Sequence, residues 1–599
     1  MILDSLSGRL VARVVELCGW ERGRRLPLHA VHKWWSRRFA AVYRMLLAAY
    51  LFDSEREVLR AVEEPAAMRS RARGKVFFEP MMGGGTGLAE AVLAGWDAQG
   101  IDVNPVAVLA AGVSASVAAE GLPPGYREKA EAVLKAALDS VRDLWQYGSG
   151  LVCHIFVSRG KAPTWLSVGQ GKLILLCPSC YTVFEANGSP ASCPACGSTV
   201  EATVKPVVQL PTSLSEEAPG WRAFAVEVRE PRGGRFRRMY LSAVRDEQLE
   251  GWLVETAARA REAAQPLAEA LREGFNVFEA DRLRRAGINY PYELFTARQL
   301  ASFRAYAEAA SRERGASLAL LAAAASDSAK GCSLLAKWYP KLGEVIPAGG
   351  VKANWVPEYT AAVNPLAHRG LTPMARGTIA SALRAQLRAG AYVERVGGAS
   401  SAGWSARLGD ARDAEYPEVV DLAVLDPPYG RMKSYASLSA PYFYALRVFE
   451  AASGVQLTGS VKLEEVEARE AVSRAALRDV VERVARKLSS RLREGSGRAV
   501  LMYNALSPGE WEEVLQPFRA SGLYSRAVYW VLGEAPSGIT SSRLKGMFLI
   551  VFAAEPGSGV HMVLEEPLAA AKRLTVIDEK LELRAAEALF SALKQVYGT

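Results

Sequence analysis

The stretch from Lys75 to Pro105, KVFFEPMMGGGTGLAEAVLAGWDAQGIDVNP, constrains the fold more than any other part of the chain. A short apolar run ends in Glu79 and Pro80, and Gly83, Gly84 and Gly85 follow. A helical pattern starts near Thr86, and a second strand-like run ends at Asp102. Strand, glycine turn, helix and strand in that order open an α/β unit with a parallel sheet. Glycines let the backbone bend tightly and approach a ligand without a side-chain clash. The spacing is not the dinucleotide fingerprint, and no Lys-Ser or Lys-Thr follows the glycines to make a phosphate loop. An acid just before the turn repels a pyrophosphate and suits a ligand with an ammonium or sulfonium end. Asp102 is placed to accept the hydroxyls of a ribose. S-adenosylmethionine carries both features, so Glu79, Pro80, Gly83, Gly84, Gly85, Thr86 and Asp102 are candidate cofactor residues. An empty structural turn is the alternative.

A second constraint lies far along the chain in DLAVLDPPYG, Asp421 to Gly430. Four apolar residues run into Asp426, Pro427, Pro428 and Tyr429. Strand ends at the carboxyl edge of an open parallel sheet are where α/β proteins bind ligands. The Asp426 carboxylate can accept a hydrogen bond from an exocyclic amine. Prolines fix φ and donate no N–H, so neighbouring carbonyls can be held toward a site. Tyr429 offers a face on which a base stacks, worth roughly 1–3 kcal/mol. The combination fits methylation of a base amine, whose lone pair is conjugated into the ring and needs positioning and electrostatic help. A duplex base must be flipped out to reach such a pocket. A ring-carbon methylase would use a nucleophilic cysteine, and none of the seven lies here. A strand followed by a rigid turn and a surface acid is the bland reading. Just upstream, LGDA sets Asp410 at another strand end, where it could meet the cofactor's adenine ring.

With 599 residues the chain exceeds one hydrophobic core. The expected fold class is α/β: a Rossmann-like S-adenosylmethionine-dependent methyltransferase domain with a mostly parallel sheet, split by a large insertion. Residues 1–145 are expected to hold the amino-terminal motif and the domain's first part, and 146–250 a zinc ribbon and hairpin. Residues 251–374 form a mainly helical accessory or target-recognition region, and 375–599 the second part with the catalytic motif. No secretory signal or membrane-length apolar run is present, so a cytoplasmic protein is expected. The net charge of +9 permits a nucleic-acid partner without requiring one.

CPSCYTVFEANGSPASCPACG supplies Cys177, Cys180, Cys193 and Cys196. Two close pairs across a short hairpin-like span match a tetrahedral zinc ribbon, with no coordination position left open for catalysis. Such a metal holds together a module with too little core of its own.

With these residues in place, the chain resembles the amino-group DNA methyltransferases and, more narrowly, the zinc-ribbon-containing adenine-specific DNA methylases. FFEPMMGGGTG resembles their glycine motif and DPPY, at Asp426 to Tyr429, their catalytic motif. VHKWWSRRFAAVYRMLLA, from Val31, resembles their amino-terminal motif, with Phe39 where proline is more usual. ELFTARQLASF from Glu293, WVPEYTAAVNP from Trp355 and SYASLSAPYFYALR from Ser434 resemble further segments. DPPYGR also resembles transfer-RNA guanine amino methyltransferases, in which an RNA-binding domain usually precedes the catalytic domain instead of splitting it.

The resemblance implies that the Val31 segment lies near the cofactor and the glycine turn, which adds His32 and Lys33 to the cofactor candidates. His32, Lys33, Arg37 and Arg38 form a basic strip beside Trp34 and Trp35, suited to a phosphate or a cofactor carboxylate, or else a cap over packed tryptophans. The expected reaction is methylation of the adenine amine in DNA. Cytosine in DNA, guanine in transfer RNA and a nucleic-acid-binding protein with an inactive methylase domain are the alternatives. Arg431 and Lys433 are placed for the flipped nucleotide's backbone. Arg232, Arg235, Arg237 and Arg238, in a predicted hairpin from Phe224 to Val244, are candidates for phosphates. With no P-loop and no nuclease constellation, a restriction activity in a defence system would come from a partner protein.

Overall fold

Apolar residues at successive positions of VFFE and LAVL, with no polar face, are the pattern of strands covered on both sides. In the computed structural model both are strands, Val76–Glu79 and Leu422–Leu425, with Val76 half-buried and their other apolar residues buried. The structure describes all residues except 170, 233–234, 274–279, 348–355, 428–433, 471–472, 534–543, 558 and 599. The chain divides into two units. The first comprises Met1–Pro123, Gln386–Tyr435 and Glu465–Thr599, and the second Pro124–Ala385 and Ala436–Glu464.

The first unit is built on an eight-stranded sheet. Numbered along the chain, its strands are β1 (Val76–Glu79), β2 (Asp97–Asp102), β3 (Trp404–Leu408), β4 (Leu422–Leu425), β5 (Arg498–Tyr503), β6 (Tyr524–Leu532), β7 (Gly546–Ala553) and β8 (His561–Val563). Their spatial order is β3-β2-β1-β4-β5-β7-β6-β8. The run from β3 to β5 is parallel. β7 lies antiparallel between β5 and β6, and β8 is parallel to β6. The register of β1 on β4 sets Phe77 beside Leu422 and Phe78 beside Ala423, so the carboxyl ends of the two strands adjoin. The helix between β1 and β2, Thr86–Leu93, is buried along its whole length. The next helix, Pro105–Glu120, has proline in its first turn, and the side chain of Asn104 caps it by accepting from the Val106 N–H at 3.0 Å. The run RRFAAVYRMLLAAYLFDS, from Arg37, has the pattern of a helix with a strongly apolar face; the helix runs from Ala40 to Leu51, and all twelve of its residues are buried.

The second unit holds a six-stranded sheet. Glu216–Ala218, Trp221–Arg232, Gly150–Ser158 and Tyr359–Val363 lie in that order, with Arg235–Ser242 also paired to Trp221–Arg232 and Gln146–Tyr147 to Gly150–Ser158. Its helices include Glu247–Ala270, Ala297–Ala310 and Gly315–Cys332.

The expectation of a Rossmann-like fold with a mostly parallel sheet is corrected by the pairing. Among the described residues thirteen of the eighteen strand pairings are antiparallel. Every pairing in the six-stranded sheet is antiparallel, and the eight-stranded sheet is mixed. The reason is connection length. Parallel neighbours need a crossover of a dozen residues or more, whereas short turns join only antiparallel strands. From Gln146 to Ser242 the chain turns back through short links, as between Trp221–Arg232 and Arg235–Ser242. No helix among the described residues is long and apolar enough to cross a membrane.

Candidate active site

The parallel strands β1 to β4 end on the same edge of the sheet, and a cleft opens there within the first unit. Glu79, Pro80, Gly83, Gly84, Thr86 and Asp102 line one side. Asp410, Asp426 and Pro427 line it too, from the ends of β3 and β4. The structure therefore brings the glycine turn and the Asp-Pro corner to one opening. Pro428, Tyr429, Arg431 and Lys433 lie outside the described residues.

Glu79 is 1% exposed and accepts from the Tyr43 hydroxyl at 2.7 Å and the Leu88 N–H at 3.1 Å. Burial pushes its carboxyl up to about 8; Tyr43 opposes that shift and the nearby Asp426 charge adds to it. Asp102 accepts from the N–H groups of Gly83 and Asn104, each at 2.9 Å. Burial raises its carboxyl to about 6 against the backbone N–H groups of Asn104, Gly83 and Val103. Asp102 therefore clasps the glycine turn as well as facing the cleft. Asp410 is gripped by Arg412, with Nε 3.0 Å from Oδ1 and Nη2 2.6 Å from Oδ2. Burial opposes its ionisation, yet that guanidinium holds the carboxyl below its ordinary value.

The glycines serve packing before they serve a ligand. A Cβ on Gly84 would lie 2.7 Å from both Trp34 Cβ and Arg37 Cζ. Gly85 does not line the cleft: it caps the helix at φ +71°, and a Cβ there would lie 2.3 Å from that of Ala111. What presses on the turn is the amino-terminal segment. Arg37 donates to the Gly84 carbonyl at 2.6 Å and to that of His32 at 3.3 Å. Ser36, also at the cleft, is held at φ +52°, a strained conformation for a non-glycine residue. Arg38 grips Asp426 in a fork, Nε to Oδ2 at 2.7 Å and Nη2 to Oδ1 at 2.6 Å. His32 and Lys33 do not line the cleft. His32 is buried against the Lys33 carbonyl, and the Lys33 ammonium lies 5.8 Å from the Trp35 ring centroid.

Sequence reasoning gives no place to Tyr43 or Tyr435, and both are at the cleft. Tyr43 lies in an apolar run and reads as core. Tyr435 stacks on Trp34 with rings 10° from parallel and centroids 5.7 Å apart. No local signal marks it.

In the second unit, the Sγ atoms of Cys177, Cys180, Cys193 and Cys196 all lie within 4.8 Å of one another. Cys177 to Cys196 and Cys180 to Cys193 are each 3.6 Å. Four thiolates about 2.3 Å from a tetrahedral ion would be about 3.8 Å apart, so the set fits a structural metal. The two pairs sit in matching turns. Tyr181 and Gly197, both at positive φ, donate their N–H to the carbonyls of Cys177 and Cys193 at 2.9 Å. The core around them is small, centred on Leu175, Ala186 and Val200.

The hairpin arginines are also in the second unit. Arg232 and Arg237 are exposed, while Arg238 Nε is 3.7 Å from the buried Glu227 carboxylate. Arg235 pairs with Arg232 beside the turn.

Set against protein-family models, curated proteins and solved structures, the chain matches none.

Proposed function

We propose that the cleft transfers a methyl group from S-adenosylmethionine to the exocyclic amine of a nucleobase in DNA, with adenine as the first candidate. The observation that carries this reading is the convergence of Glu79, the glycine turn, Asp102 and Asp426-Pro427 on one opening, although 347 residues separate Glu79 from Asp426. The residues fit the cofactor: a buried acid, short of its counter-charge, suits a cation, and two further acids suit hydroxyl and amine donors. When bound, S-adenosylmethionine supplies an electrophilic methyl carbon. Glu79 would hold its positive end, which would favour the ionised carboxylate. Asp102, already held by backbone donors, would have acceptor capacity left for a hydroxyl. Asp426 accepts a hydrogen from the target amine and steers the nitrogen lone pair to the methyl carbon. The chemistry that this donor would supply is a methyl group for the amine nitrogen, with the carbon–sulfur bonding pair leaving on sulfur and the nitrogen's proton passing to water. Rate comes from positioning and from an acceptor that favours the developing positive charge on nitrogen. In the second unit, four thiols suit zinc as the structural ion.

The test incubates the protein with methyl-labelled S-adenosylmethionine and, separately, DNA, total RNA and transfer RNA, then identifies the modified nucleoside. Label in N6-methyl-2′-deoxyadenosine of DNA is the expected result. Label confined to RNA rejects DNA as substrate, and no label in any polymer rejects methyl transfer.

A further inference from the structure

Asp426 is not left to find its own orientation. Its side chain is 18% exposed and that of Arg38 is 5% exposed, so the ion pair between them is shielded from most solvent. The fork uses Arg38 Nε and Nη2, one for each carboxylate oxygen. Two parallel bonds fix the plane of a carboxylate as one bond does not, and they leave one lone pair on each oxygen. Arg38 is itself fixed at both flanks. Before it, Arg37 is tied to the Gly84 carbonyl and Ser36 holds a left-handed turn. After it, Phe39 leads into the buried helix Ala40–Leu51, whose first N–H groups, those of Ala40 and Ala41, donate to Glu21 at 2.9 Å each. Adjacent arginines thus tie the glycine turn and the catalytic acid to one short backbone segment.

We infer that Arg38 is a positioning residue for the transfer: its guanidinium sets the plane of the Asp426 carboxylate so that a remaining lone pair points to the incoming amine. This role rests on the reading of the cleft as a methyltransferase site. It separates two properties that an ion pair usually combines, since a cation of any shape supplies the attraction and only the planar fork sets the angle of the carboxylate. Lysine keeps the charge and loses the fork.

The experiment compares wild type, Arg38→Lys, Arg38→Ala and Asp426→Ala in methyl transfer to the polymer the wild type modifies, with donor affinity measured by calorimetry. Misplacing a reacting group by about 1 Å costs on the order of 100-fold in rate. Arg38→Lys is therefore expected to lose roughly 10- to 100-fold in kcat. Donor affinity should stay near the wild-type value, and methylguanidinium should restore part of the kcat lost in Arg38→Ala. Wild-type turnover by Arg38→Lys overturns the positioning role while methyl transfer by the wild type stands. No transfer by the wild type to any polymer overturns the reading and the role together. Urea unfolding of both alanine variants and the double variant covers a folding failure. A double variant no less stable than the weaker single shows the two side chains acting as a pair, and additive losses overturn the pairing.

Discussion

Glu79 illustrates what burial does to an acid that has hydrogen-bond donors but, among the described residues, no cation beside it. In the unfolded chain it titrates at its ordinary value of 4.5, and in the fold near 8. Between those values the folded protein holds a proton that the unfolded chain has released. Folding stability therefore falls as pH rises from 4.5 to 8 and levels off above. Glu79→Gln cannot ionise, so urea melts should show its stability gaining on wild type through that window, by a few kcal/mol, on the order of the linkage. A parallel pair of pH profiles would remove burial of a titrating acid from the account. The same linkage acts on binding. A sulfonium beside Glu79 favours the carboxylate, so near pH 7 the donor should release a proton on binding. Calorimetry in buffers of different ionisation enthalpy reads that release, and Glu79→Gln should abolish it. Asp426 differs in having its counter-charge in place. Asp426→Ala removes the proposed amine acceptor and takes from the nearly buried Arg38 the carboxylate it grips. Transfer should fall by about 100- to 1,000-fold. Stability should fall by about 3 kcal/mol, with donor affinity retained. Unchanged turnover would remove Asp426 from the chemistry.

At the scale of elements, the glycine turn fails first if its geometry is violated. Gly85→Ala adds a Cβ at φ +71°, against Ala111, in a helix start with no free space. Left-handed strain and overpacking together should cost about 2–4 kcal/mol, read as a lower melting temperature. A melt within a degree of wild type would mean that the turn relaxes freely. These elements are legible because their signals are local. A four-residue apolar strand, a glycine turn, a proline at a helix start and two C-x-x-C pairs each lie in a few consecutive residues. The partners of those elements are not legible in the same way. Arg38 and Asp426 are 388 residues apart, and nothing near either names the other. Periodicity shows which face of an element is apolar but not what covers the opposite face. That is why Ala40–Leu51 reads as amphipathic and is buried throughout. It is also why the basic strip of His32, Lys33, Arg37 and Arg38 reads as one candidate surface when only its two arginines line the cleft. Strand direction is hidden too, since an apolar run looks the same in either orientation. Connection length settles it, and the short links of the second unit give antiparallel pairs.

For the whole molecule, the question is how the first unit tolerates some 260 inserted residues between Pro123 and Gln386. The chain leaves and re-enters that unit at neighbouring points. Leu122 lies against Gly390, where a Cβ would come within 2.5 Å of it. Ser400 and Ser401 donate to the carbonyls of Ala118 and Ala119 at 3.1 and 2.8 Å. An insertion with adjoining ends adds little strain to its host, which is why domains accept insertions at such places. The four-cysteine module belongs to the inserted unit and the cleft to the first, and each has its own core. Metal loss should then be a local event. Stripping the ion with a chelator, or Cys180→Ser, should remove one zinc per chain by mass spectrometry and raise hydrogen exchange from Lys172 to Val200. Its small core cannot offset the ordering entropy of the turns without the metal. Donor affinity at the cleft should stay within twofold, because none of the residues lining it is in the inserted unit. Methylation of DNA is the more demanding readout. If it falls while donor affinity holds, the metal module supports engagement of the polymer and not the cofactor site. A collapse of donor affinity along with the metal would show that the first unit cannot keep its cleft without the second, and the separation of scaffold and insertion drawn here would fail.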